Sequence, residues 1–252
     1  MRVAFVHSLG ETVVEKRLSA RERGESEAAA QLRQEAVLLA ALAGRMTPRL
    51  VETGSGDEGP WLRMEWIAFP TLAGRLEQAG PARLDRAWIA RASRAAFTAL
   101  AELHEATDRH GPLRIVHADL SPANLAVDDA AGRAVILDLG LACWRESAAR
   151  RDGAFRGTVG YCAPEVARGE TPTTASDLFA LAATLVHGAT GMVPRDGTLL
   201  AAVLAVAAER PLLDEPRVAG ADLDGAILDC LAHDAASRPR SARAVLARLA
   251  MC

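Results

Sequence analysis

His117-Ala118-Asp119-Leu120-Ser121-Pro122-Ala123-Asn124 is followed, fourteen positions past Asn124, by Asp138-Leu139-Gly140 at the end of the apolar run Val135-Ile136-Leu137. Moving a phosphoryl group needs an acceptor for the attacking hydroxyl's proton and hard oxygen ligands for magnesium. Two carboxylates and an amide on short loops meet that need. In this reading Asp119 orients the nucleophile, while Asn124 and Asp138 hold the metal. Short motifs also recur by accident, so a surface turn followed by an unrelated strand end is the competing reading.

Composition narrows the field. The chain has 252 residues, half of them hydrophobic, enough for one two-lobed domain or two small ones. A net charge of −3 offers no basic field for nucleic acid, although Arg150, Arg151 and Arg156 form a local cluster. Cys143, Cys162, Cys230 and Cys252 lie far apart without a CxxC pair, which points to free thiols in a reducing compartment rather than zinc. No apolar run reaches the length of a membrane span, and residues 1–7 are too short for a signal segment, so a cytoplasmic protein is expected. Heavy use of Ala and Arg suggests a GC-rich bacterial genome.

The pattern along the chain is strand-rich first and helical afterwards. Residues 2–7 and 11–18 read as a hairpin around Ser8-Leu9-Gly10, residues 25–44 as a helix, and about 49–54 and 60–67 as two more strands. Helical patterning is expected from residue 82 onward. Ile89, Ala92, Ala96, Leu100 and Leu103 make one apolar stripe of a long helix ending near His104, and 177–190 is apolar almost all round, as a buried helix is. Shorter helices are expected at 198–208, 221–232 and 241–250, the last with Ser241 as its N-cap. The class is α+β, with the boundary near residues 67–71.

These motifs resemble the protein kinase family, specifically bacterial Ser/Thr kinases of the eukaryotic type, over essentially the whole length. His117 to Asn124 is similar to the family's catalytic loop and Asp138-Leu139-Gly140 to its magnesium-binding triplet. Gly157-Thr158-Val159-Gly160-Tyr161-Cys162-Ala163-Pro164-Glu165 looks like the end of an activation segment, Ser176-Asp177-Leu178-Phe179 like the start of the central helix, and Ser237-Arg238-Pro239 like the late Arg-Pro signature. The resemblance implies a two-lobed kinase fold, residues 1–67 as the N-lobe and 68–252 as the C-lobe of a single domain. It implies ATP and Mg2+ as cofactors, a Glu165–Arg238 pair, Asp177 bracing the catalytic loop, and Thr158 hydrogen-bonded to Asp119. Val13-Val14-Glu15-Lys16 is similar to the strand that carries the phosphate-binding lysine, and Glu35, nineteen residues on, to its helix partner. Met64-Glu65-Trp66-Ile67 resembles the hinge. There Met64 is the gatekeeper, Glu65 and Ile67 offer backbone groups to adenine, Val14 lies above the purine and Ala126 below it.

Several positions depart from the family's pattern. Only fifteen residues with a single Gly precede Lys16, so the first strand and the glycine-rich loop are expected to be missing, leaving a sheet of about four strands and weak nucleotide affinity. Residues 2–7 would then form an open edge to which a partner or a second copy could add a strand. The literal GxGxxG at Gly54, Gly56 and Gly59 follows Lys16, carries Asp57 and Glu58, and reads as a turn. Val14 for the usual Ala and Ala126 for a common Leu conserve total volume in the purine slot. Ala118 replaces an Arg that grips an activation-loop phosphate, which makes switching through Ser147 less expected. Ser121 replaces a Lys that neutralises the transferred phosphate. His117 is expected to be a packed core residue, and none of the six His has metal-ligand spacing.

Three functions stay open on the sequence: an ATP-dependent Ser/Thr protein kinase, a pseudokinase or scaffold, and a small-molecule phosphotransferase. The segment from Gly157 to Glu165, the Ser176-Asp177 helix start and Arg238-Pro239 count against the third, because in the family they shape a peptide-docking floor.

Overall fold

The computed structural model describes residues 2–8, 11–18, 26–57, 59–80, 83–147, 155–197, 199–215, 218 and 221–249. Leu9, Gly10, Glu58, Arg150, Arg151 and Cys252, on which expectations above rest in part, lie outside them.

Four strands, β1 (Arg2–Ser8), β2 (Glu11–Arg17), β3 (Leu50–Gly56) and β4 (Gly59–Glu65), form an antiparallel sheet in the order β1-β2-β4-β3. Gly56 pairs with Gly59 across the β3–β4 turn, so the literal GxGxxG is a hairpin and not a phosphate cradle. Helix α1 (Ser26–Leu42) packs on this sheet through Leu32, Leu38, Leu39 and Leu42, all buried. The register carries functional information. Residues paired across antiparallel strands point to the same face, and Val3 faces Lys16 while Phe5 faces Val14. Both apolar side chains therefore share the Lys16 face, and both are exposed.

The second lobe is helical: α2 (Leu72–Ala79), α3 (Arg86–His104), α4 (Pro164–Ala167), α5 (Thr174–Thr190), α6 (Leu200–Glu209), α7 (Gly225–Leu228) and α8 (Ala242–Leu249). Helix α2 begins ten residues before the helical pattern was expected. Thr71 caps it, accepting from Gly74 N at 3.1 Å, and Leu72 and Leu76 are its buried face. The expected helix 221–232 is broken into α7 and a 3-10 turn, Asp229–Leu231. Ser241 caps α8 as expected, with Oγ 3.1 Å from Ala244 N. Helix α5 is the axis of this lobe. Thr173 and Ser176 form a reciprocal capping box at its start, and Gly191 at φ 73° closes its end. Gly188 lets α3 approach closely, since a Cβ there would stand 2.7 Å from Ile89 Cδ1.

Two short pairs of strands complete the lobe: β5 (Thr107–Asp108) with β6 (Gly111–Pro112), and β7 (Leu125–Asp128) with β8 (Arg133–Ile136). The lobe is tied across its base by Arg238. Its guanidinium donates to both Glu165 oxygens at 2.6 and 2.8 Å, and to the carbonyls of Ala175, Ala232 and His233, while lying 4.9 Å over the Phe179 ring. Both partners are buried. Removing one partner of such a pair strands a buried charge, whereas removing both does not. Arg238→Ala should therefore lower the unfolding free energy by about 3–5 kcal/mol in chemical denaturation. The double variant Glu165→Leu/Arg238→Met should lose clearly less than the single one.

Candidate active site

The cleft between the lobes is built on two buried acids. Asp177, in the first turn of α5, is 1 % exposed, and its Oδ2 accepts from His117 N at 2.7 Å while its Oδ1 accepts from Ala118 N at 2.9 Å. His104 Nε2 contacts the same Oδ2 at 2.9 Å. These bonds hold Ala118 at φ 66°, a left-handed conformation that costs an Ala about 1–2 kcal/mol. His117 is fully buried, and its Nε2 lies 2.9 Å from Leu137 O while Nδ1 accepts from Asp119 N at 3.2 Å. His117 is thus a packed strut under the loop, as expected from the sequence.

The loop so fixed presents Asp119. Its Oδ1 accepts from both N and Oγ1 of Thr158 at 2.8 Å, and Asn124 Nδ2 donates to its carbonyl at 2.8 Å and to its Oδ2 at 3.2 Å. Burial raises the Asp119 pKa, and the Thr158 hydrogen bonds offset part of that. Gly157 is required beside it: φ is +116°, and a Cβ would meet Asp119 Oδ1 at 3.2 Å.

Across the cleft, Lys16 Nζ stands 2.6 Å from Glu35 Oε1 and 3.0 Å from Asp138 Oδ1. Burial opposes the ammonium charge, but the two carboxylates outweigh it and raise the Lys16 pKa. Burial also pushes Asp138 upward, and the Lys16 charge overcomes this to hold it below its usual range. Lys16 is the sole lysine in the chain. Asp138 itself sits at φ 62°, with Oδ1 accepting from Gly140 N at 3.2 Å. The two halves are joined through Leu137, whose amide donates to Asn124 O at 2.9 Å.

The activation segment also touches α1. Gln34 Nε2 donates to Ala142 O at 2.5 Å, and Arg156 pairs with Glu27 at 2.7 Å. Neither contact was read from the sequence.

The donor set suits magnesium. Asn124 uses its Nδ2 and Asp138 its Oδ1, which leaves Asn124 Oδ1 and Asp138 Oδ2 without a donor among the described residues. Among the described residues no group of three His, Cys, Asp or Glu could hold a metal by itself, so phosphate oxygens and water would complete the shell.

The expected purine wall is laid out in two pieces. Val14 and Met64 are buried register partners on β2 and β4, while Ile67, Ala126 and Val135 form a separate small cluster with Phe69 and Leu137. Glu65 spends its amide on Arg49 O at 2.8 Å. Trp66 is half exposed and meets Phe5 edge to face, centroids 4.7 Å apart. Val3 and Phe5 were not read as site residues. The signal was available, since both lie at even spacing from Lys16 and Val14 once the hairpin register is counted.

A two-lobed fold with this set of acids, amide and lysine in its cleft defines a protein-kinase-like molecule. The family profile described as "Protein kinase domain" matches residues 3–246, and the chain belongs to that family. It is similar to the DNA damage-responsive serine/threonine-protein kinase RqkA of Deinococcus radiodurans, 36% identical over 171 residues, which is 67% of this chain and 24% of that protein. It is also similar to the tyrosine-protein kinase MasK of Myxococcus xanthus, 32% identical over 166 residues, 64% of this chain and 26% of that one. The chain thus spans about a quarter of these relatives. The fold matches the crystal structure of the Mycobacterium tuberculosis PknI kinase domain (C20A mutant) with a TM-score of 0.66 and 24% identity, covering 99% of this chain and 89% of that one.

If the left-handed turn before Asp119 is strained, Ala118→Gly should relieve it. Stability should rise by up to about 1 kcal/mol, because relief of the left-handed strain, about 1–2 kcal/mol, exceeds the extra unfolded-state entropy of Gly, about 0.4–1 kcal/mol; chemical denaturation measures it.

Proposed function

We propose that the chain is one kinase domain, with its lobe boundary near residue 67, that transfers the γ-phosphoryl group of ATP to a Ser or Thr hydroxyl of a protein. The observation that carries the reading is the contact of Lys16 with both Glu35 and Asp138 opposite the Asp119–Thr158–Asn124 cluster. Lys16 would grip the α- and β-phosphates. Asp119 would accept a hydrogen bond from the acceptor hydroxyl and orient it in line, a function a buried carboxylate of raised pKa suits. Thr158 supports a Ser/Thr acceptor, since its hydroxyl fixes one Asp119 oxygen and leaves the other for substrate. Val14, Met64, Ile67 and Ala126 would flank the purine, and Glu65 would offer its carbonyl rather than its amide.

Charge balance argues for the metal. Glu35 matches Lys16, so Asp119 and Asp138 leave the cleft with two further anions against a polyanionic nucleotide. Asn124 and Asp138 would hold magnesium, which would supply the positive charge that offsets these anions. A purely electrostatic demand for a cation at the phosphates could be met by Arg in a chain with 28 of them, yet this position alone carries Lys. A compact ammonium fits between two carboxylates where a planar guanidinium would not.

Incorporation of γ-labelled phosphate into a protein acceptor tests the reading. Asp119→Ala and Asp138→Ala should each lower it by at least about a hundredfold, and the product should carry phosphoserine or phosphothreonine. Equal labelling in all three proteins would end the enzyme reading, and phosphotyrosine would end the acceptor assignment. An acyl-phosphate ATP probe should label Lys16, with excess ATP blocking it; labelling without turnover would mark a pseudokinase.

The pH profile offers a second check. A hydrogen bond to a carboxylate favours its charged form, so removing the Thr158 hydroxyl should raise the Asp119 pKa further. Thr158→Val should shift the acid limb of the rate profile to higher pH by roughly 0.5–1 unit. A shift to lower pH would contradict the arrangement.

A further inference from the structure

On the face of the helical lobe formed by the outer side of α3, an open groove of about 580 Å³ runs between the α1–β3 connection and the β7–β8 turn. Arg45, Arg91, Arg94 and Arg133 line it, against one acid, Glu102. The chain as a whole carries a net charge of −3, so this is a local reversal of sign. Several arginines elsewhere are matched by acids: Arg63 with Glu15 and Glu52, Arg86 with Asp222, Arg168 with Glu170, Arg243 with Glu105. Among the described residues, Arg45 in the groove donates to the Leu42 carbonyl at 3.3 Å and Arg94 to the Leu249 carbonyl at 2.5 Å, neither of them an acid. Arg91 has no ion-pair partner among the described residues, and Arg133 reaches Asp128 only at 3.5 Å.

We propose that this groove docks a short acidic segment of a partner protein, away from the phosphoryl-transfer cleft. Three features favour an extended peptide over a small anion. The four arginines come from three separate parts of the chain: the α1–β3 connection, α3 and β8. Arg91, Arg94, Thr98 and Glu102 follow one face of α3 over twelve residues, about 16 Å from first to last, which is the length of roughly five extended residues. The floor beneath them is apolar, with Met46, Ala95 and Ala99 buried, so alternate side chains of a strand could seat on it while acidic ones meet the arginines. Partly solvated guanidiniums attract and orient carboxylates with little desolvation cost.

The test uses the full chain and a fluorescein-labelled hexapeptide, Leu-Glu-Glu-Leu-Glu-Glu, read by anisotropy. The wild type should bind it with an affinity that falls as salt rises. Arg45→Glu/Arg91→Glu should weaken binding by about tenfold or more, a change of ~1.4 kcal/mol. Arg83→Glu/Arg240→Glu makes the same change of net charge at exposed sites outside the groove and should leave binding nearly unchanged. Circular dichroism melts of both variants keep misfolding apart from lost contacts. Equal weakening by both pairs would mean diffuse charge attraction and overturn the proposal, as would absence of binding by the wild type. Binding to phosphatidylserine vesicles that is lost in Arg45→Glu/Arg91→Glu, with no peptide binding, would assign the groove to a membrane surface instead. None of these readouts depends on phosphoryl transfer.

Discussion

The buried carboxylate of Asp177 is the constraint on which the rest depends. It sits where the first turn of α5 welcomes negative charge, and it satisfies two consecutive amides of the loop that carries Asp119. Among the described residues those amides have no other partner, so losing the acid would leave orphaned donors. In return the loop accepts a left-handed Ala118, and that turn aims Asp119 at Thr158 and Asn124. The position of a reactive group on a loop is thus inherited from the most buried helix of the molecule. The helix in turn is held in place by its capping box, by the close approach at Gly188, and by the Arg238 guanidinium at the Ala175 carbonyl.

The second half of the cleft depends on a different balance. Lys16 is placed between two carboxylates, one on α1 and one on the loop after β8. The arrangement joins the lobes only while α1 is drawn inward, and the contacts of Gln34 with Ala142 and of Arg156 with Glu27 pull in the same direction. They do so without a phosphate and without the guanidinium that Ala118 replaces. The cost is electrostatic: three acids face one ammonium, and Asp138 Oδ2 has no donor among the described residues. A divalent cation held by Asn124 and Asp138, as proposed, would relieve both problems at once.

Much of this was legible in the sequence, because the motif residues are tied by local geometry and fixed spacing. Lys16, Glu35, Asp119, Asn124, Asp138 and Thr158 fall together, and the edges of α1, α3 and α5 agree within a few residues. What was missed has physical reasons. Helix α2 is only eight residues long with a Gly inside it, too short for a periodic signal, although Thr71 before it and Gly80 after it are recognisable caps. The expected helix at 221–232 has the right apolar content, but only four of its residues hold α geometry before the chain tightens into a 3-10 turn. The Arg156–Glu27 tie and the arginine groove join residues far apart in sequence on exposed faces, where no pattern of burial marks them.

The register of β1 shows how a single count changes the meaning of a surface. Read from the sequence, residues 2–7 were an edge awaiting a partner strand. In the sheet, β1 has β2 as its neighbour among the described residues, so the edge is there. Yet the pairing of Val3 with Lys16 and of Phe5 with Val14 turns two exposed apolar side chains toward the face that the nucleotide would occupy. Phe5 already meets Trp66 from the hinge. A one-residue slip would send both to the opposite face, so the hairpin that carries the chain's sole lysine also decides whether these two residues form part of the roof over the site. Apolar surface at that place would shield a base bound beneath it from water, which is how the register of one hairpin bears on the proposed nucleotide site.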